Sequence, residues 1–69
     1  MAELVIYKGL AIRQKAGLSQ QELGRKAHVS RATISDLESG KKTDVKMSTL
    51  SNIAAVLNCK VSDLFTQKV

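Results

Sequence analysis

Apolar residues recur along most of the chain three and four positions apart, the spacing that places them on one face of a helix. A first helix is expected to end near Ala16, because Gly17 is suited to the left-handed conformation that terminates many helices. Two alternatives stay open for its start, since the apolar run from Leu4 to Tyr7 can form either its first turns or a short extended arm. Gly9 inside this helix would cost about 1 kcal/mol relative to alanine.

Two further helices have clearer boundaries. Ser19 and Glu22 have the spacing of a capping box, in which each side chain accepts a hydrogen bond from the other residue's backbone amide. The helix that they begin should run to about Ala27. Ser30 is a good N-cap, so a third helix is predicted to begin there and to end at Gly40. The inward-facing residues of these two helices are predicted to be Leu23, Ala27, Ile34 and Leu37.

The remainder of the chain predicts two more helices after a polar loop over residues 41–46. Asn58 tolerates the left-handed conformation that would end the fourth helix, and Val61, Leu64 and Phe65 indicate a short fifth one. The expected fold is therefore all-α, with five helices in a single domain over residues 1–69. The apolar face of the fourth helix is predicted to consist of Met47, Leu50, Ile53, Ala54 and Leu57.

The connection between the second and third helices is unusually short. Only about three residues, His28 to Ser30, join them, which forces a steep crossing of the kind found in the DNA-binding helix-turn-helix. Such a crossing needs a small residue where the helices touch, and Gly24 is placed to supply it. His28 stands where the turn needs a positive φ, a conformation in which histidine is enriched. Residues 19–40 are therefore expected to form a helix-turn-helix.

The charge of the chain indicates its class of partner. Eleven Lys and Arg against six Asp and Glu give a net charge of +5, which favours polyanions such as nucleic acid or an anionic membrane surface. The sequence has no apolar run of the ~18 residues that a membrane span needs and no signal-peptide pattern. Its single cysteine, Cys59, cannot form an intrachain disulfide. A soluble, cytoplasmic protein is expected, with no membrane partner.

Enzymatic activity is not expected from a chain of 69 residues. A large substrate cavity would consume the small core that holds such a domain together. The sequence contains no nucleophile–base pair, and the lone His28 has no Cys/His cluster with which to bind a metal. We therefore expect no metal, no cofactor and no small-molecule ligand.

Two runs carry a resemblance to a known family. Leu18-Ser19-Gln20-Gln21-Glu22-Leu23 and Val29-Ser30-Arg31-Ala32-Thr33-Ile34-Ser35-Asp36-Leu37-Glu38-Ser39-Gly40 resemble the helix-turn-helix of the Cro/phage-repressor (XRE) family, and the similarity extends from Lys8 to Phe65. The resemblance implies the five-helix phage-repressor fold and a role in transcriptional control. It also implies that the helix over residues 30–39 enters the major groove while the helix from Ser19 crosses the DNA backbone.

Candidate DNA contacts follow from this docking arrangement. Arg31 begins the inserted helix and can bind guanine O6 and N7 with two hydrogen bonds, a phosphate contact being its alternative. Gln20 begins the helix before it, where the positive dipole end attracts phosphate, and it matches the family's phosphate-binding glutamine. The expected base-reading residues are Arg31, Ala32, Thr33, Ser35 and Asp36. The expected phosphate contacts are Gln20, Ser39, Lys41, Lys42 and Lys46.

The resemblance also assigns a structural ion pair, since Arg13 and Glu38 match a family pair that ties the first helix to the third. A phosphate contact from Arg13 is the alternative that stays open. At Gly24 and His28 the sequence departs from the family, which usually has alanine and glycine there. Cys59 matches an apolar family position and is expected to be a small buried residue.

A single inserted helix covers too few base pairs for specificity, so a second half-site is needed. We expect a repressor that binds a palindromic or pseudo-palindromic operator as a homodimer. The expected dimer surface comprises Val61, Leu64, Phe65 and Val69. An antitoxin, or another interaction module of the same fold whose main partner is a protein, is the alternative, and a neighbouring toxin gene would distinguish the two.

Overall fold

The computed structural model describes residues 4–41 and 45–68 of the chain. In chain order the elements are β1 (Leu4–Tyr7), α1 (Gly9–Lys15), α2 (Gln20–Ala27), α3 (Arg31–Ser39), α4 (Met47–Val56), a 3-10 helix (Val61–Leu64) and β2 (Phe65–Lys68). The helix-turn-helix is formed by α2 and α3, with α1 before it and α4 after it.

The expected helical fold is confirmed, with four α-helices, but the count of five helices is corrected and two short strands are added at the ends of the described chain. The last predicted helix is a single 3-10 segment that ends at Leu64, and Phe65 begins a strand instead. At the other end of the chain the extended alternative is right, because β1 pairs antiparallel with β2, Leu4 opposite Lys68 and Tyr7 opposite Phe65. The run Leu-Val-Ile-Tyr is rich in residues that favour strands, and the pairing satisfies backbone groups that an unpaired arm would leave to water.

The local signals for helix ends are confirmed. At the start of α2, the Ser19 hydroxyl accepts a hydrogen bond from Glu22 N at 3.0 Å, and Glu22 Oε1 accepts one from Ser19 N at 2.8 Å. At the start of α3, the Ser30 hydroxyl accepts from Thr33 N at 3.1 Å. His28 and Asn58 adopt the left-handed conformation with φ of 59° and 57°. Short-range spacing was therefore sufficient to predict where these helices begin and end.

The core forms where α2, α3, α4 and the 3-10 helix meet. All four inward-facing residues predicted for α2 and α3 are buried. On α4 the predicted apolar face is buried at Leu50, Ile53 and Ala54, whereas Met47, the first residue of the helix, is 64% exposed. The buried cluster contains Leu23, Ala27, Ile34, Leu37, Ile53, Ala54, Leu57 and Leu64.

The expected dimer surface also needs correction. Leu64 is completely buried in the core of its own chain, so it cannot contact a second copy. Val61 and Phe65 are half-buried and pack against the same core, and Val69 lies outside the described residues. The side chains of Ile6, Leu10 and Met47 are instead the large apolar ones that the described part of the chain exposes. No helix in that part is long and apolar enough to span a membrane.

Candidate nucleic-acid interface

The crossing of α2 and α3 depends on close backbone contact. Val29 N donates to the Gly24 carbonyl at 2.8 Å, and a Cβ built on Gly24 would lie 2.6 Å from the Val29 carbonyl oxygen. A side chain does not fit there unless backbone moves. The positive φ of His28 turns the chain between the two helices. Gly24, which allows close backbone contact, and His28, which is left-handed, thus set the angle between α2 and α3.

The outer face of α3 carries the five residues assigned to base reading. Ile34 and Leu37 face the core and are fully buried, which directs the polar residues of the helix outward. Arg31 and Ala32, in the first turn, are exposed. The Thr33 and Ser30 hydroxyl oxygens lie 2.8 Å apart, so the Thr33 hydroxyl is engaged at the helix start. Three of the five are half-buried: Thr33, Ser35 and Asp36.

A shallow recess of about 250 Å³ lies beside the beginning of α2. Its lining brings Gln20 and Arg31, assigned to phosphate and base contact, onto one surface. Arg31 forms no ion pair with any described residue, so its guanidinium is available to a ligand. The full lining is Arg13, Ser19, Gln20, Gln21 and Arg31.

Arg13, which lines this recess, forms an ion pair with Glu38 that joins α1 to α3. Arg13 Nε donates to Glu38 Oε2 at 2.7 Å, and Arg13 Nη2 donates to Oε1 at 3.1 Å. The side chains are only 11% and 5% exposed, respectively. The hydrogen bond with Glu38 raises the pKa of Arg13 above its ordinary value, against the opposing effect of burial. Arg13 Nη1 also donates to the Leu18 carbonyl at 2.7 Å, which fixes the chain just before α2.

Gln20 joins the same network. Its Nε2 donates to Glu38 Oε1 at 2.9 Å, so the Glu38 carboxylate connects α1, α2 and α3. The sequence predicts a phosphate contact for Gln20 and an ion pair for Glu38, but no bond between the two. No sequence signal could have done so, because the two residues are 18 positions apart on different helices.

The remaining phosphate candidates lie around the end of α3. Ser39 is exposed, and its hydroxyl donates to the Asp36 carbonyl at 3.2 Å. A phosphate contact from that hydroxyl would therefore have to replace an existing bond. Lys41 and Lys46 are exposed on either side of residues 42–44, and Lys42 lies outside the described residues.

Besides Arg13, three ionisable groups have pKa values that their surroundings shift. Hydrogen bonds from the Ser19 backbone and side chain lower the pKa of Glu22, which keeps the capping carboxylate charged. The Tyr7 hydroxyl is buried without a hydrogen-bond partner in the described structure. Burial, reinforced by the charge of Glu38, raises the pKa of Tyr7 to about 12. Cys59 is only partly buried, and burial raises the pKa of its thiol as well.

Comparison with known proteins finds a matching family and several similar solved structures. The profile of the helix-turn-helix family matches residues 10–64, whereas no curated protein matches the chain. The chain is similar to SinR, described as the master regulator for biofilm formation, in a crystal structure with DNA. The identity is 31% over 80% of this chain and 87% of that one, with a TM-score of 0.76.

Two other solved structures extend the comparison. The transcriptional regulator VanUg is 26% identical over 97% of this chain and 88% of its own, with a TM-score of 0.75. A complex of the SinR and SinI proteins contains a chain 31% identical over 80% of this one, with a TM-score of 0.76. The chain described here covers 53% of the matched chain in that complex, or about half of its length.

Proposed function

This chain belongs to the helix-turn-helix family of XRE (Cro/phage-repressor) type, a family of transcription regulators and not of enzymes, and we propose that it binds duplex DNA sequence-specifically. On this proposal α3 enters the major groove and the beginning of α2 faces the backbone. The target is a palindromic or pseudo-palindromic operator occupied by a homodimer. Bound there, the protein acts as a repressor, since occupancy alone excludes other proteins from the same DNA.

One observation carries the proposal: the recess shared by Gln20 and Arg31 joins the start of α2 to the start of α3. A phosphate at the first residue of α2 would meet backbone amides and the positive end of the helix dipole. From the same surface, the unpaired Arg31 guanidinium extends from the helix that the family inserts into the groove. The net charge of +5 supports binding to a polyanion, as does the structure of the similar SinR with DNA.

Base reading is assigned to the outward residues of α3, and positioning to the phosphate contacts around it. Arg31 is the residue suited to guanine. Two exposed lysines, Lys41 just after α3 and Lys46 just before α4, supply positive charge for contacts with the DNA phosphates. One inserted helix contacts only a few base pairs, which is too little for specificity. A second chain on a second half-site supplies the missing contacts, and we therefore infer a dimer.

Selection of bound sites from random duplex DNA tests the proposal. We expect an enriched sequence with two inverted half-sites, and two chains per duplex by sedimentation. The logarithm of the association constant should fall with the logarithm of salt concentration, with a slope of about −0.9 for each phosphate neutralised. No enrichment together with a flat salt response would refute DNA binding and favour the alternative of a module whose main partner is a protein.

A further inference from the structure

The Gln20 amide lies between the interior of the domain and the surface proposed for DNA. Its nitrogen donates one hydrogen bond to Glu38 Oε1 at 2.9 Å. An amide NH₂ group has two hydrogens, so a second remains after this bond. Gln20 is also the first residue of α2 and lines the recess beside Arg31. The side chain can therefore bind Glu38 and an external acceptor at the same time.

The Glu38 carboxylate is itself held in place. Both of its oxygens accept from Arg13, and its side chain is 5% exposed. Arg13 in turn is bound to the Leu18 carbonyl at 2.7 Å, two residues before Gln20. The acceptor offered to Gln20 is consequently fixed relative to the backbone that begins α2. A free glutamine side chain loses rotamer freedom when it binds, and fixing it beforehand removes part of that cost.

Resting on the proposed function, we propose that Glu38 is a positioning residue for the DNA contact of α2. Its carboxylate holds one N–H of Gln20, so that the other N–H is directed to a DNA phosphate. The Arg13–Glu38 pair thus does more than join α1 to α3. It orients a phosphate-binding side chain on α2 relative to the helix that reads the bases.

Nuclear magnetic resonance of the wild-type protein tests this directly. In the free protein we expect separate resonances for the two Nε2 hydrogens of Gln20, with one exchanging slowly with water. Addition of the selected operator should shift the second resonance and leave the first in place. If the slowly exchanging hydrogen loses its protection on DNA binding, Gln20 leaves Glu38 to reach the phosphate, and the proposal is wrong.

Variants give the second measurement. Glu38→Asp keeps a charge opposite Arg13 but shortens the reach to Gln20, and Gln20→Ala removes the amide. Each should weaken operator binding roughly tenfold per half-site, the usual effect of one hydrogen bond to a charged group. The double variant should be no weaker than either single one. Gln21→Ala is the matched control, because Gln21 lines the same recess and makes no side-chain hydrogen bond within the described structure.

Operators with a single neutral methylphosphonate identify the phosphate concerned. The wild-type protein should lose affinity when the methylphosphonate stands at one particular position in each half-site. The same substitution should not change the affinity of Gln20→Ala or of Glu38→Asp. Additive losses in the double variant, or an unchanged sensitivity in Glu38→Asp, would overturn the positioning role. If Glu38→Asp does not fold, the wild-type spectra decide the question. A protected Gln20 hydrogen in a protein that binds no duplex would refute the proposed function and the positioning role with it.

Discussion

The Tyr7 ring occupies the space into which any side chain at Gly9 would extend. A Cβ built on Gly9 would overlap the Tyr7 hydroxyl and the ring carbon that bears it. The ring also lies edge-on against Phe65, with centroids 5.5 Å apart and planes at 68°. Gly9 therefore has a packing role at the start of α1, where helix propensity alone indicated only a cost.

Gly9→Ala should accordingly destabilise the protein although alanine is the better helix former. We expect a loss of about 1–3 kcal/mol, typical of an overfilled site, because Tyr7 would have to leave its place against Phe65. Thermal or urea unfolding measures the loss. In a Tyr7→Ala background the same change should be neutral or stabilising. An equal loss in both backgrounds would show that Tyr7 is not the obstacle.

Tyr7 should also make folding sensitive to alkaline pH. Its pKa is raised from 10.0 to about 12, chiefly by burial, so the folded state favours the neutral phenol. The stability that this provides is complete below pH of about 10 and is lost as pH rises towards about 12. Tyr7 is the only tyrosine, so phenolate absorbance reports it alone.

The expected midpoint of that absorbance is about 12 in the folded protein and about 10 in urea. Wild type should lose stability relative to Tyr7→Phe across the same interval. The phenylalanine variant also removes a buried hydroxyl without a partner, so it should be at least as stable as wild type at neutral pH. A folded-state midpoint near 10 would contradict the burial of this hydroxyl.

Gly24→Ala should distort the helix-turn-helix itself. The added Cβ would approach the Val29 carbonyl oxygen to 2.6 Å, and backbone cannot rotate aside as a side chain can. We expect a loss of about 1–3 kcal/mol in unfolding experiments, accompanied by weaker operator binding as α3 shifts. His28→Gly serves as the control, because glycine keeps the left-handed turn and should change stability by less than about 1 kcal/mol. An unchanged melting temperature for Gly24→Ala would mean that the crossing tolerates a methyl group.

Arg31 and Lys46 should have different effects on DNA recognition. If Arg31 reads guanine, Arg31→Ala should cost about 1–3 kcal/mol on the operator and relax preference at one base pair per half-site. Lys46→Ala should weaken all duplexes alike and reduce the salt slope. Binding is compared on the operator and on a copy with that guanine replaced. Equal losses on both duplexes for Arg31→Ala would identify Arg31 as a phosphate contact and leave specificity to the other α3 residues or to DNA shape.

What the sequence determined by itself is the helix-turn-helix. The spacing of Ser19 and Glu22, the N-cap Ser30 and the left-handed His28 are signals within a few residues of the structure that they specify. Each works through hydrogen bonds or backbone sterics inside one or two turns of helix. The periodicity of Leu23, Ile34 and Leu37 likewise predicts which side of α2 and α3 faces the core and therefore which side is available to DNA.

What only the tertiary structure decided involves partners far apart in the chain. The run from Leu4 to Tyr7 becomes a strand because β2 lies beside it, a neighbour that local pattern cannot supply. Leu64 is buried and Met47 exposed although both fit an apolar helical face, because burial depends on what packs opposite. The bond between Gln20 and Glu38 has the same origin: it exists because Arg13 and the crossing of three helices bring an amide and a carboxylate together.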